Sequence, residues 1–309
     1  MNGNDNGGVR VAVAQLDAEP FDVEGNARRG ADAIREAAAA GARVVVLPEL
    51  LSTAYVMDRA AVHGAAEPVT EGVRGPCVTA WARAARAEGV AVVAGLAERA
   101  GEQHFNSVVV IDEKGDTREV YRKVHLFNAE RGIFEPGDRG LPIVEIAGLR
   151  LGVLVCYDLR FPEALRILAL RGAQLVAVPT AWVPGFDHSP TPFPKMIPQV
   201  ANAIVQANLN QVWLAAAGRA GTDAGVRLLG SSLVIDPYGH PVQGPLPEDA
   251  VAVATCDVQP QAVEKSRRRG SLIRPREDRR TDLYGALLGY EDPAVPRLSP
   301  RSPGEQKDR

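Results

Sequence analysis

Gly148-Leu-Arg-Leu-Gly-Val-Leu-Val-Cys-Tyr-Asp-Leu-Arg-Phe-Pro-Glu163 is the stretch on which the reading of this chain turns. Leu149 to Val155 is almost wholly apolar and rich in branched side chains, the composition of a strand covered on both faces. The apolar run stops at Cys156, and polar residues follow. Pro162 suits the first turn of a helix, where its missing N–H has no partner to lose. A cysteine between a buried strand and a helix stands where a side chain is held rigidly at an open sheet edge. The positive end of the helix that follows would favour its thiolate, the attacking form. A single cysteine in an apolar strand is more often an inert core residue, so this reading needs support from elsewhere in the chain.

Support comes from two other strand ends. Glu49 follows Val44-Val45-Val46-Leu47-Pro48, and Lys123 follows Glu119-Val120-Tyr121-Arg122. Alone, Glu49 reads as an exposed end residue and Lys123 as a salt-bridge partner. If strands of one sheet end on the same edge, however, the two share a cleft with Cys156. The set is then chemically complete. A thiol needs a base, which a buried carboxylate can be tuned to supply. A tetrahedral intermediate needs donors for its oxyanion, available from Lys123 and the backbone N–H of Tyr157. No H-E-x-x-H or paired-histidine spacing suggests a metal. His125, two residues beyond Lys123 on the same run if the strand persists, is read as structural. Asp158 and Arg160 either face a polar substrate or pair with each other.

Around these ends the chain alternates strands and helices. Val9 to Leu16, Arg43 to Leu47 and Val90 to Leu96 read as strands, separated by helices over Val23 to Ala40 and Val73 to Glu88. A hairpin turns around Glu113-Lys114-Gly115-Asp116. An irregular Phe127 to Pro142 leads into the strand that carries Cys156. Helix Glu163 to Arg171, strand Gln174 to Pro179 and helix Val200 to Asn208 follow, then strands at Val212 to Ala217, Gly230 to Ile235 and Ala250 to Cys256. Trp182 to Pro198 is irregular, with five prolines, and loops this long are more often functional than idle. No repeat or linker divides the chain. Helices first and strand pairs later indicate an α/β fold with two sheets face to face and helices outside. The expected divisions are a flexible 1–8, a domain over 9–258, a tail over 259–296 that reaches a partner subunit, and a disordered 297–309.

The 309 residues, 46% hydrophobic and 24% charged, are those of an ordinary globular chain. A net charge of -3 gives no reason to invoke nucleic acid or a membrane surface. The basic run Arg267 to Arg280 is interrupted by acidic residues and lacks aromatic stacking partners. Cys77, Cys156 and Cys256 are far apart and odd in number, which fits a reducing compartment and a cytoplasmic location. No secretory signal opens the chain, and no apolar segment approaches the roughly 20 residues a membrane helix needs.

Val46-Leu-Pro-Glu49, Tyr121-Arg-Lys-Val-His-Leu-Phe127 and Cys156-Tyr-Asp-Leu-Arg-Phe-Pro-Glu163 resemble, in this order, blocks of the carbon–nitrogen hydrolase (nitrilase) superfamily. The resemblance runs from about Val9 to Tyr284 and lies nearest the amidase and Nit-type branch. It implies a four-layer α-β-β-α sandwich and a catalytic triad of Glu49, Lys123 and Cys156. A second glutamate, Glu130, would hold the lysine and position the substrate, with Tyr55, Tyr157, Arg160 and Trp182 as further substrate-side candidates. Such enzymes form a thioester on cysteine, release ammonia or an amine, and let water hydrolyse the acyl group. No cofactor is implied. They assemble as dimers or larger homo-oligomers through the helices beside the cysteine and the C-terminal tail. Cys-Tyr-Asp in place of Cys-Trp-Glu favours small linear amides or N-carbamoyl compounds over nitriles. Two departures concern the substrate: Gln206-Ala207-Asn208-Leu209-Asn210 replaces Arg-Ala-x-Glu-Asn of many relatives, and the Pro-rich loop 183–198 is individual. The alternatives are a nitrilase and a non-catalytic binding protein on the same scaffold.

Overall fold

Alternation along the strands builds the layers of this protein, seen in a computed structural model that describes residues 7–69, 73–184 and 196–287. In β1 (Val9–Gln15), Val11 and Val13 join a core between two sheets, while Ala12 and Ala14 join a second core under helices. The same split divides Val44 and Val46 from Val45 in β2 (Val44–Val46). It also divides Ala91 and Val93 from Val92 and Ala94 in β3 (Ala91–Ala100). Successive strand residues point to opposite faces, so an all-apolar strand can serve two cores at once.

Helices α1 (Val23–Ala39), a short α2 (Arg59–Ala65) and α3 (Pro76–Glu88) belong to this half. Ala27, Ala31 and Ile34 of α1 and Val78, Trp81 and Ala85 of α3 bury against the helix-facing residues of the first sheet. The two helices meet closely: a Cβ on Gly30 would stand 2.2 Å from Trp81 Nε1. Strands β4 (Gln103–Ile111) and β5 (Thr117–Arg122) extend the sheet antiparallel on one side.

The second half repeats the plan. Strands β6 (Ile143–Ile146), β7 (Leu149–Val153), β8 (Leu175–Thr180) and β9 (Trp213–Gly218) lie in sequence in the second sheet. A two-stranded ribbon, β10 (Thr222–Asp223) and β11 (Val226–Arg227), precedes β12 (Leu233–Ile235) and β13 (Pro241–Gln243). The order in this sheet is β13-β12-β9-β8-β7-β6, parallel in β7, β8 and β9. The final strand β14 (Ala252–Val258) returns to the first sheet, giving β14-β1-β2-β3-β4-β5 with β1, β2 and β3 parallel. Leu165 and Leu168 of α4 (Pro162–Leu170) and Val200, Ala203 and Ala207 of α5 (Pro198–Asn210) pack with the second sheet. The result is the α-β-β-α sandwich.

The chain divides into two units, residues 1–263 and 264–309. Helix α6 (Pro260–Ser266) spans that division, and α7 (Thr281–Leu287) lies in the second unit. The expected disordered end 297–309, most of the flexible start and residues 185–195 of the Pro-rich loop lie outside the described residues. No helix among the described residues is long and apolar enough to cross a membrane.

Four strands, β6, β10, β11 and β13, are missing from the sequence reading, and β6 is the one beside the Cys156 strand. Ile143–Ile146 pairs antiparallel with β7, where an irregular segment was expected to lead straight into the Cys156 strand. The two turn residues between them, Ala147 and Gly148, have φ of 49° and 79°. Two successive left-handed residues are what a two-residue hairpin needs, but asparagine or aspartate is the usual cue for the first. Alanine there hides the hairpin.

Candidate active site

Glu49 is held by the approach of one strand to another. Past β2, Leu47 N donates to Val93 O at 2.8 Å, Gly95 N donates to Pro48 O at 3.2 Å, and Leu51 N donates to Gly95 O at 3.0 Å. A Cβ on Gly95 would lie 2.5 Å from Pro48 O and 2.6 Å from Glu49 Cα. Only glycine lets β3 come this close. Leu50, at φ 46°, then turns the chain away and leaves Glu49 fully buried.

Lys123 continues the pairing of β5 by one residue, its N–H donating to Asn106 O at 2.8 Å. The Asn106 side chain in turn donates to Glu49 Oε1 at 2.8 Å, so one asparagine holds both neighbours. Lys123 Nζ donates to Glu49 Oε1 at 2.7 Å and to Glu130 Oε1 at 2.8 Å, with all three side chains at 0% exposure. Glu130 sits in a 3-10 turn, Asn128–Gly132. Its Oε1 also accepts from Tyr55 OH at 2.8 Å, and its Oε2 accepts from Phe127 N at 3.1 Å. Tyr55 is anchored through its own N–H to Asp223 Oδ2 at 2.7 Å, and Asp223 pairs with Arg219.

Burial works against the Lys123 ammonium, but Glu130 and Glu49 outweigh it and hold its pKa above the ordinary lysine value. Burial raises Glu130 above the usual carboxylate range, against the pull of Lys123. Glu49 Oε1 is occupied, whereas Glu49 Oε2 is buried without a hydrogen-bond partner.

Cys156 opens a 3-10 turn, Cys156–Arg160, with φ 43°. A left-handed non-glycine residue costs about 1–3 kcal/mol and persists only where its surroundings enforce it. The sharp strand-to-turn geometry is of the kind that presents a nucleophile. Two sequence expectations are corrected here. Glu49 and Lys123 leave the first sheet while Cys156 leaves the second, so the three do not share one sheet edge. They meet across the sandwich, a gap of about 10 Å between stacked sheets that long glutamate and lysine side chains can span. The thiolate is also not favoured by a helix end. Cys156 begins a tight turn ahead of α4, and burial pushes its thiol well above the ordinary value. Glu49 adds to that rise, while Lys123 and the Ala181 backbone oppose it.

Cys156 also lines an open pocket whose empty space, adjoining solvent included, is about 400 Å³. Phe127, Tyr157 and Trp182 supply aromatic walls, and Arg160, Gln199 and Asn202 supply polar ones. Tyr157 packs against Phe127 at 5.2 Å and edge-on to Phe161 at 5.3 Å. Asn202 Nδ2 donates to Leu159 O at 2.8 Å, and Gln206 Nε2 reaches the same carbonyl at 3.3 Å. Gln206, a departure from the family pattern, therefore supports the turn after Cys156.

The structure thus brings Glu49, Lys123, Glu130 and Tyr55 together on one side of Cys156 and places Tyr157, Arg160 and Trp182 on the other. Sequence reasoning missed Asn106, Tyr121 and Asp223. Asn106 left a signal, a polar side chain inside the apolar run Phe105 to Ile111. Asp158, weighed as a partner of Arg160, is committed to Tyr121, His125 and Val155. His125 does not lie on a strand face, because β5 ends at Arg122. No group of three or more histidine, cysteine, aspartate or glutamate side chains able to hold a metal stands among the described residues.

A thiol facing a carboxylate–lysine cluster across an α-β-β-α sandwich is the arrangement of a hydrolase of carbon–nitrogen bonds other than peptide bonds. The carbon–nitrogen hydrolase family matches residues 10–268, and the chain belongs to that family. It is 33% identical over 278 residues to a protein of Pyrococcus abyssi named nitrilase, covering 89% of this chain and 99% of that one. It is 29% identical to an N-carbamoylputrescine amidase of Arabidopsis thaliana, covering 86% and 91%. Among solved structures it resembles an amidase from Nesterenkonia sp. AN1 whose active-site cysteine carries the acetamide moiety of fluoroacetamide. That likeness has a TM-score of 0.74 at 28% identity and covers 93% of this chain and 100% of that one.

Proposed function

We propose that this protein hydrolyses small linear amides or N-carbamoyl compounds through a thioester on Cys156. The observation that carries the assignment is the unpartnered, buried Oε2 of Glu49, set against a Glu130 whose two oxygens are both occupied. Glu49 takes the thiol proton as Sγ attacks the carbonyl carbon. The oxyanion is met by the third Nζ–H of Lys123, two being used on Glu49 and Glu130, and by the Tyr157 N–H. Protonated Glu49 returns the proton to the leaving nitrogen, and ammonia or an amine departs. Water then gives a proton to Glu49 and attacks the thioester, which releases the acid and restores the thiol. The cycle requires no cofactor.

Both amides and nitriles must in the end expel a protonated nitrogen through the Glu49–Lys123–Glu130 cluster, so the preference for amides rests on the pocket. The polar side of the pocket, with Arg160, Gln199 and Asn202, suits an amide or carbamoyl group. The name of the Arabidopsis relative agrees with that preference. The nitrilase reading is supported by the name of the Pyrococcus relative. Matched amide and nitrile substrates sharing one side chain separate the two. The expected result is a higher kcat/KM for the amide throughout the series, and the reverse ordering establishes the nitrilase instead.

We further assign a homodimer, working in the cytoplasm as three free and well-separated cysteines suit. Ile167 and Leu170 on α4 and Val205 and Leu209 on α5 are exposed on adjoining helices, and such apolar patches mark contact surfaces. The tail around Tyr284 is assigned to the partner as well. Light scattering at micromolar concentration should give a dimer, and Leu209→Glu together with Ile167→Glu should give a monomer. A monomeric wild type sinks the assignment.

A further inference from the structure

We propose that Asp158 is a positioning residue that sets Cys156 against Lys123 by clasping the two sheets together; the inference rests on Cys156 being the nucleophile. Its carboxylate is fully buried, and each oxygen accepts twice. Oδ2 accepts from Val155 N at 2.9 Å and from Tyr121 OH at 2.7 Å. Oδ1 accepts from His125 N at 3.0 Å and lies 2.8 Å from His125 Nδ1. Val155 immediately precedes the nucleophile in the second sheet. Tyr121 and His125 flank Lys123 at two residues on either side in the first. One side chain therefore joins the backbone that presents the sulfur to the segment that presents the ammonium.

Each partner is held in the role this requires. A carboxylate only accepts, so the proton of His125 sits on Nδ1. The His125 ring is fixed by stacking on Phe161, with centroids 3.7 Å apart and planes within 9°. Phe161 N donates back to Asp158 O at 3.1 Å, and Asp158 N donates to Val155 O at 2.9 Å, which closes the turn on both sides. Burial holds the Tyr121 hydroxyl well above its ordinary pKa, so it remains a neutral donor. The bond from Val155 N also constrains the residue before the left-handed Cys156. Released from it, Cys156 relaxes toward an ordinary backbone conformation and carries the sulfur away from Glu49 and Lys123.

The prediction separates positioning from stability. Asp158→Asn cannot accept on both former oxygens, while Tyr121→Phe removes one hydroxyl and keeps the ring. Acylation of Cys156, followed by ammonia release in a single turnover and by intact-protein mass, should fall about 10- to 100-fold in Asp158→Asn, the range that an ångström-scale misplacement produces. In Tyr121→Phe it should fall severalfold. Amide affinity, measured with each change placed in Cys156→Ala protein, should stay within about twofold, because the pocket walls are untouched. Trp81→Phe, in the helix-facing core, is the stability control: it should lower Tm without changing acylation. The clasp is overturned if both variants acylate at the wild-type rate, or if acylation falls only in step with the folded fraction. If Asp158→Asn does not fold, Tyr121→Phe decides. A wild-type enzyme that turns over amide without any acyl group on Cys156 overturns the proposed function instead.

Discussion

Cys156→Ala protein should fold normally and release no ammonia from any amide. The loss is expected to reach about 10⁴-fold or more, as when the nucleophile of a cooperating set is removed. The fold should survive because the sulfur takes no part in closing its own turn. That turn is held by the Asp158 carboxylate and by Asp158 N to Val155 O, and alanine at φ 43° is strained no more than cysteine. Removing the thiol gives up its contact with the Ala181 backbone and little else that holds the fold. Alkylation provides a second reading of the same assignment. Cys77 is fully buried and burial pushes its thiol far up, while Cys256 lies half-buried beside Asp257, which raises it further. Glu67 lies beside Cys77, but that thiol is fully buried and closed to the reagent, and neither cysteine has a lysine such as Lys123 to hold its thiolate. Iodoacetamide should therefore label Cys156 first, and excess amide should protect it. Equal labelling of all three cysteines, or an active alanine variant, removes Cys156 from the reaction.

Glu49→Gln should block acylation, whereas Glu130→Gln should only slow it. Glutamine at position 49 keeps a carbonyl oxygen for Asn106 and Lys123, so the hydrogen-bond frame is preserved. What disappears is the free oxygen that receives the thiol proton, and with it the donor to the leaving nitrogen. General acid–base catalysis contributes about 10²- to 10⁴-fold, and the loss should fall in that range. Glu130 is differently placed. Its oxygens accept from Lys123, Tyr55 and Phe127, so an amide there loosens the lysine and leaves the proton path intact. A loss of about tenfold is expected, as for supporting residues behind a reactive group. Intact mass spectrometry of each variant with a slowly released amide distinguishes the two. If Glu49→Gln accumulates acyl-enzyme at the wild-type rate, the two glutamates have been assigned the wrong roles.

How far the sequence reveals this site depends on the range of the interactions involved. Glu49, Lys123 and Cys156 are legible because each ends a run of apolar, branched residues, a pattern contained within five to eight positions. The layers are legible in β1 for the same reason, valines and alanines taking opposite faces. What cannot be read locally is which sheet each strand joins. The common-edge expectation failed at that point, since Cys156 and Glu49 belong to different sheets. Gly95 belongs to the same class of hidden information: it reads as a weak spot in a strand, and only the approach of Pro48 and Glu49 explains it. Asp158 looked like half of a local pair with Arg160, two residues away. Its actual partners Tyr121 and His125 lie more than thirty positions back in the chain.

The origin of the site in two sheets also bears on the life of the polypeptide before it is finished. The first sheet alone carries a carboxylate and a cation with nothing to activate. The second alone carries a thiol with no base beside it and no reason to ionise. Under the proposed function, reactivity is a property of the seam, absent from either layer, and it requires the second sheet to dock on the first. On that function a nascent or partly opened chain exposes an ordinary cysteine, and the thiol meets its base only where the pocket walls already enclose it.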